Sequence, residues 1–175
     1  MKRYSVKKIA FLAIMLALAI VLGYVESFIP SWIPGVKPGL ANLVILILLY
    51  SCPFYEALLV SLLRVFIVAL LRGTIFQMPF YMSLSGAILS FAMMCLAYFL
   101  FEKKLHVLTI YGVSLLGAYA HSLAQVAVAA IFVEHGATTF FYFPFISLIS
   151  LAAGLLTAIL GDKLLQSRPI RQLKE

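Results

Sequence analysis

The sequence predicts an all-α integral membrane protein, a single bundle of six transmembrane helices with both termini in the cytoplasm. Three observations lead to this prediction. Of the 175 residues, 65% are hydrophobic and only 11% are charged, with a mean hydropathy of +1.12. Apolar runs close to the ~20 residues that cross a bilayer recur along the whole length. Basic residues gather on one side of the membrane when these runs are taken as alternating spans.

Composition also excludes several classes of protein. A soluble domain of this size leaves too much surface in water to hide so many apolar side chains. No polar stretch is long enough for an appended domain, so residues 1–175 are expected to form one transmembrane domain in contact with lipid. The net charge of +7 could indicate nucleic-acid binding. Because Lys and Arg collect at the cytoplasmic ends of membrane helices, no nucleic-acid partner is expected.

Each apolar run is taken as a helix, because backbone groups in lipid must form hydrogen bonds within their own segment. The six runs cover residues 9–25, 40–52, 54–71, 81–101, 107–133 and 140–160. The opening MKRYSVKK resembles a signal peptide, but no A-x-A cleavage site follows, so the first span is expected to be retained.

The second span, residues 40–52, is short. Its length as a helix is about 20 Å, against a hydrocarbon core of roughly 30 Å. It ends at Pro53 and follows the Pro- and Gly-rich stretch IPSWIPGVKPG. Two alternatives are open: a short helix shielded by its neighbours, or a preceding segment that dips into the membrane. Non-helical backbone at that depth is tolerated only inside protein or along a wet cavity.

The basic residues predict the orientation. With the N-terminus inside, ten of the thirteen fall on the cytoplasmic side, as the positive-inside rule expects. These ten are Lys2, Arg3, Lys7, Lys8, Lys103, Lys104, Lys163, Arg168, Arg171 and Lys174.

The other three basic residues, Lys37, Arg64 and Arg72, all map to the outer half. Charge within a membrane is costly, so a functional role is the first hypothesis for them. An anion site is one interpretation, because the planar guanidinium of arginine can bind carboxylate or phosphate through two parallel hydrogen bonds. The alternative has no ligand: Arg72 extends to outer headgroups, and Arg64 pairs with Glu26 or Glu134.

Neutral polar residues also lie within the spans. His121 and Gln125 are four residues apart on one face of the fifth span, and Asn42 lies just inside the second. They either join neighbouring helices by hydrogen bonds or contact a ligand. The sequence contains no paired aspartates, metal-ligand cluster, nucleophile–base pair or nucleotide motif. We therefore expect no enzymatic activity, no catalytic residue, no metal and no cofactor.

Small residues four apart mark places where membrane helices can approach closely. Ala13 and Ala17 form such a pair in the first span, and Gly154 and Ala158 form another in the last. Alanine is common in membrane helices, so this pattern alone is a weak indication of contact.

Three stretches, KPGLANLVILILLY, EALLVSLLRVFIVALLRGT and GAYAHSLAQ, resemble a family of small bacterial membrane proteins. It is the Gx transporter family, also named heptaprenyl diphosphate synthase component I. The family's own pattern corresponds here to Lys37, Gly39, Asn42, Arg64, Arg72, Gly73, His121 and Gln125.

In size and span count the family is similar to the substrate-binding S components of energy-coupling factor (ECF) vitamin transporters. That likeness implies a bacterial cell-membrane protein that binds a small molecule near the outer face. It also implies docking of Ala13 and Ala17 on a transmembrane T component, with ATP hydrolysis in partner subunits.

The sequence therefore favours a substrate-binding membrane subunit of an uptake transporter. The small anionic or amphipathic ligand would contact Lys37, Asn42, Arg64, Arg72, His121 and Gln125, under a lid formed by the Pro- and Gly-rich loop. One alternative is an accessory component of isoprenoid, heptaprenyl diphosphate or quinone synthesis that binds a prenyl diphosphate without catalysing its transfer. Another is a membrane scaffold with no ligand.

Overall fold

The computed structural model describes residues 6–28, 37, 39–105, 107–132 and 140–167. Within these ranges the protein is entirely helical, with six α-helices. They are α1 (Val6–Glu26), α2 (Asn42–Ser51), α3 (Phe54–Leu71), α4 (Met78–Leu96), α5 (Ile110–Phe132) and α6 (Phe143–Leu165). A π-helical segment, Ala97–Lys104, extends α4, and a 3-10 turn, Phe140–Tyr142, precedes α6.

Five of these helices are long and apolar enough to cross a membrane, which supports a multi-pass membrane protein. The predicted span 54–71 coincides with α3, whereas 81–101 lies within the longer helical stretch Met78–Lys104. Similarly, the helix predicted over 140–160 continues to Leu165. These two runs stop short of the helix ends because backbone hydrogen bonding continues C-terminally into polar residues, Glu102–Lys104 in one helix and Asp162–Lys163 in the other.

Helix α2 is the exception, with only 10 residues. Its residues from Asn42 to Leu49 are all buried, and it packs against each of the other five helices. A Cβ atom at Gly161 of α6 would lie 3.0 Å from Leu46 Cδ2, so glycine allows these two helices to pack closely. The described residues show α2 as a short helix shielded by its neighbours, whereas the alternative of a preceding segment that dips into the membrane stays a prediction. Residues 29–36, which include most of the Pro-rich stretch, lie outside the described residues.

Contacts between helix ends define the two ends of the bundle. Lys8 Nζ near the start of α1 lies 2.6 Å from Glu56 Oε1 at the start of α3. At the same end, the Tyr50 hydroxyl of α2 donates a hydrogen bond to Glu102 of the π-helical segment. At the opposite end, Glu26 of α1 meets the start of α2. That the first of these ends is cytoplasmic stays a prediction from charge.

The two pairs of small residues lie in different environments. A Cβ atom at Gly154 would lie 2.7 Å from Ala118 Cβ of α5, so this part of α6 is a close helix contact, as the sequence indicates. Ala13 and Ala17, by contrast, are both exposed on the outer face of α1. Their face of the helix is therefore not used in packing among the described residues.

Candidate functional site: a basic pocket between α1, α3, α4 and α5

A pocket lies at the end of the bundle where α1 and α3 finish and α4 begins. Its polar lining consists of Glu26, Lys37, Arg64, Arg72, Thr74, Ser83, His121 and Gln125. Its apolar lining consists of Gly23, Val65, Val68, Ala69, Pro79 and Phe80. The empty space measures about 460 Å³ out to the open mouth, and about 30 Å³ of it admits the centre of a water molecule. The narrow part therefore holds roughly two waters, or a group of similar size.

Arg64 is the most deeply placed cation of this pocket. It is 5% exposed, and its aliphatic stem lies beside Gly23 of α1, where a Cβ atom would be 3.7 Å from Arg64 Cδ. Among the described residues, no carboxylate lies within 4 Å of its guanidinium. The proposed partner Glu134 lies outside the described residues. Glu26, the other partner named for Arg64, acts on it electrostatically, but the described residues provide no direct ion pair for this buried charge.

The end of α3 brings Arg72 to the same pocket. Gly73 adopts a left-handed conformation, with φ of 63°, and the Thr74 N–H donates to the Ala69 carbonyl at 2.9 Å. The Gly73 N–H donates to Leu70 O at 3.1 Å, which completes a Schellman motif. Glycine suits this position because it lacks the Cβ that disfavours positive φ. The turn ends the helix at Leu71, with Arg72 as its C-cap, and both Arg72 and Thr74 line the pocket.

Lys37 is held in the pocket by two hydrogen bonds. Its backbone N–H donates to Gln125 Oε1 of α5 at 2.9 Å, and its Nζ donates to Ser83 Oγ of α4 at 3.0 Å. Ser83 Oγ in turn donates to the Pro79 carbonyl at 2.8 Å. The loop before α2 is therefore attached to α4 and α5 at this residue.

The Glu26 carboxylate is occupied by backbone groups. It accepts hydrogen bonds from the N–H groups of Leu40 and Ala41, the latter at 3.4 Å. These groups precede the first turn of α2, where backbone N–H groups lack partners within the helix and an anion is favourable. Glu26 is 3% exposed, so it joins the end of α1 to the start of α2 inside the protein.

The hydrogen bond from Lys37 also determines the proton position on His121. Because Gln125 Oε1 accepts from the Lys37 N–H, Gln125 Nε2 is the donor to His121 Nε2, 3.0 Å away. A ring nitrogen that accepts has no proton, so the imidazole is neutral and carries its proton on Nδ1. His121 therefore adds polarity to the pocket but no charge.

Two glycines make the space for the His121 ring. A Cβ atom at Gly86 of α4 would lie 2.8 Å from both Cε1 and Nδ1 of the ring, and 3.2 Å from Gln125 Cγ. On the loop side, a Cβ at Gly39 would lie 3.3 Å from Cδ2. Gly39 also has a φ of 87°, a conformation that favours glycine. The ring is thus enclosed by backbone on both sides.

Five of the six predicted ligand residues line the pocket: Lys37, Arg64, Arg72, His121 and Gln125. Asn42 does not line it. It is 7% exposed, and its Nδ2 donates to Ser90 Oγ of α4 at 3.1 Å. This hydrogen bond joins α2 to α4, so Asn42 fits the alternative in which a polar residue connects neighbouring helices and does not contact a ligand.

Sequence reasoning missed Ser83, Thr74 and the role of Gly86. A signal was present in the fourth span, where Ser83, Gly86 and Ser90 follow a spacing of three and four residues. Such a polar and small stripe on one helix face indicates a buried contact with another helix. The sequence did not, however, indicate which helix would lie opposite it.

Burial and neighbouring charge both act on Lys37. The pKa of its ammonium group is lowered from 10.5 to about 8, mainly by burial; Glu26 opposes this change, and Arg64 and Arg72 add to it. Three basic side chains thus share a pocket with one carboxylate. The arrangement can hold a small anion, since charge and hydrogen-bond donors both converge there.

Comparison with known proteins identifies the family. The family model for heptaprenyl diphosphate synthase component I matches residues 15–164, a range that contains every residue of the pocket. No curated protein and no solved structure matches the chain. Because the matched range covers most of the 175 residues, the chain belongs to the heptaprenyl diphosphate synthase component I family.

Proposed function

We propose that this protein is the substrate-binding membrane subunit of an uptake transporter, and that it captures a small anionic or amphipathic molecule in the basic pocket. The main support is the position of Arg64, which is buried, lines the pocket and has no ion pair among the described residues. Leaving an arginine at such depth in a membrane costs about 2.5–3.5 kcal/mol on insertion scales. A ligand anion offsets that cost.

The second candidate is an accessory component of heptaprenyl diphosphate synthesis. The name of the family favours it, and a basic pocket suits a diphosphate as well as another anion. In this role the protein holds a prenyl diphosphate and leaves the transfer to a soluble partner. The two candidates share the anion pocket and differ in their partner proteins.

Co-purification from gently solubilised membranes, followed by native mass spectrometry, distinguishes the two. We expect a T component and ATPase subunits to accompany the protein, together with a small bound anion. Recovery of a soluble prenyl synthase in their place would support the accessory role and contradict transport.

Under the proposed orientation, the pocket opens to the outside of the cell. A cysteine introduced there as Thr74→Cys should therefore react with a membrane-impermeant maleimide added outside intact cells. If this cysteine reacted only in inverted vesicles, the orientation would be the reverse.

Docking on the T component is expected to use the exposed face of α1. Ala13 and Ala17 are both exposed and lie four residues apart on one face of α1, where small side chains leave room for a second helix. Replacing both by leucine should reduce recovery of the partner subunits at least about tenfold, because close approach of two membrane helices requires small side chains.

The bundle itself should tolerate the double leucine variant, since neither alanine is buried in it. The matched control is Ile14→Leu, at an exposed position of the same helix, and this variant should leave the complex intact. Unchanged partner recovery in the double variant would show that these alanines only face lipid.

Anion binding should weaken as the pH rises through about 8, where Lys37 loses its proton. Glu26, Arg64, Arg72 and His121 line the same pocket, and they do not replace the positive charge that Lys37 loses. Phenyl phosphate is a suitable probe, because its second ionisation, near pKa ~6, is complete well before pH 8. We expect its affinity to fall about tenfold between pH 7 and pH 9, as the charged fraction of Lys37 falls by that factor.

Folding stability of the ligand-free protein should change in the opposite direction. An unfolded chain keeps Lys37 protonated up to about 10.5, so between pH 8 and 10.5 it binds more protons than the folded protein and stability rises with pH. In Lys37→Gln, neither the fall in anion affinity nor this rise in folding stability with pH should occur. A variant that keeps the wild-type binding profile would show that another group titrates.

A further inference from the structure

We infer that the ligand of the basic pocket presents a compact divalent oxyanion, a phosphate or phosphate monoester, to Lys37, Arg64 and Arg72. The inference rests on the proposed function, since it assumes that the pocket binds an anion. It goes further by naming the charge and chemical class of the bound group.

The charge of the pocket lining supports a dianion. Lys37, Arg64 and Arg72 supply three positive charges, and Glu26 supplies one negative charge. His121 adds none, because its Nε2 accepts a hydrogen bond from Gln125. Two positive charges are thus uncompensated, and buried charge without a counter-ion is costly. A ligand with two negative charges restores neutrality, whereas a single carboxylate leaves one cation unpaired.

The available hydrogen bonds indicate the same class. Each Glu26 oxygen accepts from a backbone N–H group, and among the described residues neither oxygen lies within 4 Å of a guanidinium nitrogen, so this carboxylate does not complete the arginine forks. The Lys37 ammonium uses one of its three protons on Ser83. Two guanidinium forks and the remaining ammonium protons therefore converge as donors. A phosphate, with several acceptor oxygens on one centre, matches them better than a carboxylate with two.

The size of the pocket favours a compact group. The part that admits water centres is only about 30 Å³, enough for roughly two waters. Val65, Val68 and Phe80 line the same pocket and provide an apolar surface for the carbon attached to the phosphate. The charged head and a short apolar neighbour can therefore be held together.

The test uses three probes that share a phenyl ring: phenyl phosphate, methyl phenyl phosphate and benzoate. Phenyl phosphate carries two charges at pH 7.5, whereas the diester and benzoate carry one. Calorimetric titration is done on the full chain in nanodiscs of neutral phosphatidylcholine, so that lipid adds no competing phosphomonoester. We expect phenyl phosphate to bind at least about tenfold tighter than either monoanion, a difference of ~1.4 kcal/mol.

A charge variant makes the test specific. In Lys37→Gln the preference for phenyl phosphate should fall towards unity, because one of the two uncompensated charges is removed. Lys103→Gln, in the π-helical segment at the other end of the bundle, is the matched control and should keep the preference. Thermal unfolding of both variants verifies that the fold is retained.

The outcomes separate the two proposals. Monoanions that bind as tightly as phenyl phosphate would overturn the dianion inference and leave the anion pocket in place. Absence of binding by all three probes would overturn both. Adding phosphatidic acid to the nanodiscs identifies the source of the phosphate: competition with phenyl phosphate assigns a lipid headgroup, and no competition assigns a soluble ligand.

Discussion

Replacing Arg64 by lysine should weaken binding of phenyl phosphate at least about tenfold, a loss of ~1.4 kcal/mol or more. Lysine keeps the positive charge but lacks the planar fork that donates two parallel hydrogen bonds. Arg64 is 5% exposed and no carboxylate among the described residues pairs with it, so its donors are available to a ligand. Arg64→Ala should reduce binding further, because it removes the charge as well.

Arg64→Met separates loss of binding from loss of folding. An apolar side chain of similar length removes a buried charge that has no direct ion pair, and with it the desolvation cost of that charge. The ligand-free variant should therefore melt no lower than the wild type, although it no longer binds the probe. Stability and function would then oppose each other at this residue, as expected for a binding site.

Arg72→Lys, at the C-cap of the same helix, is the comparison. Arg72 is only half-buried, so a lysine there can keep much of its interaction with the anion through water. We expect its effect to be clearly smaller than that of Arg64→Lys. Normal binding by both Arg64→Lys and Arg64→Ala would show that the anion site does not lie at this residue.

Replacing Gly86 by valine should disrupt the pocket, although Gly86 itself does not line it. A Cβ atom there would lie 2.8 Å from the His121 ring, inside the distance at which real Cβ atoms pack. Overpacking of this kind costs about 1–3 kcal/mol. The ring cannot easily move away, because Gly39 lies against its other side. We expect a lower melting temperature, displacement of His121 and Gln125, and loss of the hydrogen bond that holds the Lys37 backbone.

Ala92→Val, at an exposed position of the same helix, is the control for introducing a β-branched residue. It should leave both melting temperature and anion affinity close to the wild type. In the double variant Gly86→Val with His121→Ala, the space vacated by the ring should restore much of the stability but not the binding. If the double variant instead lost the sum of the stabilities lost in Gly86→Val and His121→Ala alone, the close packing of Gly86 on His121 would be contradicted.

Much of the bundle could be predicted from composition and charge. The third span, 54–71, coincides with α3 because Pro53 and Gly73 limit the helix on either side of a continuous apolar run. The C-terminal ends of α6 and of the π-helical segment that extends α4 could not be placed, because helical hydrogen bonding continues there into polar residues that hydropathy excludes. The short α2 could be recognised as unusual, but its burial by five neighbours depends on packing that no local pattern specifies.

Within the pocket, the sequence by itself determined which side chains are too polar or too charged to face lipid. Burying an arginine, histidine or glutamine in a membrane is costly wherever it occurs, so Arg64, His121 and Gln125 can be identified from their position in apolar runs. That cost does not depend on which helices are neighbours. Asn42 satisfies the same criterion, yet it bonds to Ser90, so polarity alone does not assign a residue to the pocket.

Only the tertiary structure decided which polar groups meet. Glu26 accepts from Leu40 and Ala41 across the connection between α1 and α2, whereas Lys37 joins Ser83 and Gln125 on two other helices. These partners are up to 88 residues apart, and hydrogen bonds require atoms within about 3.5 Å of each other. Helix packing, set by small residues such as Gly86 and Gly154, brings them to that distance. A pattern along one chain specifies what each span must bury, but the geometry between spans depends on how their surfaces fit together.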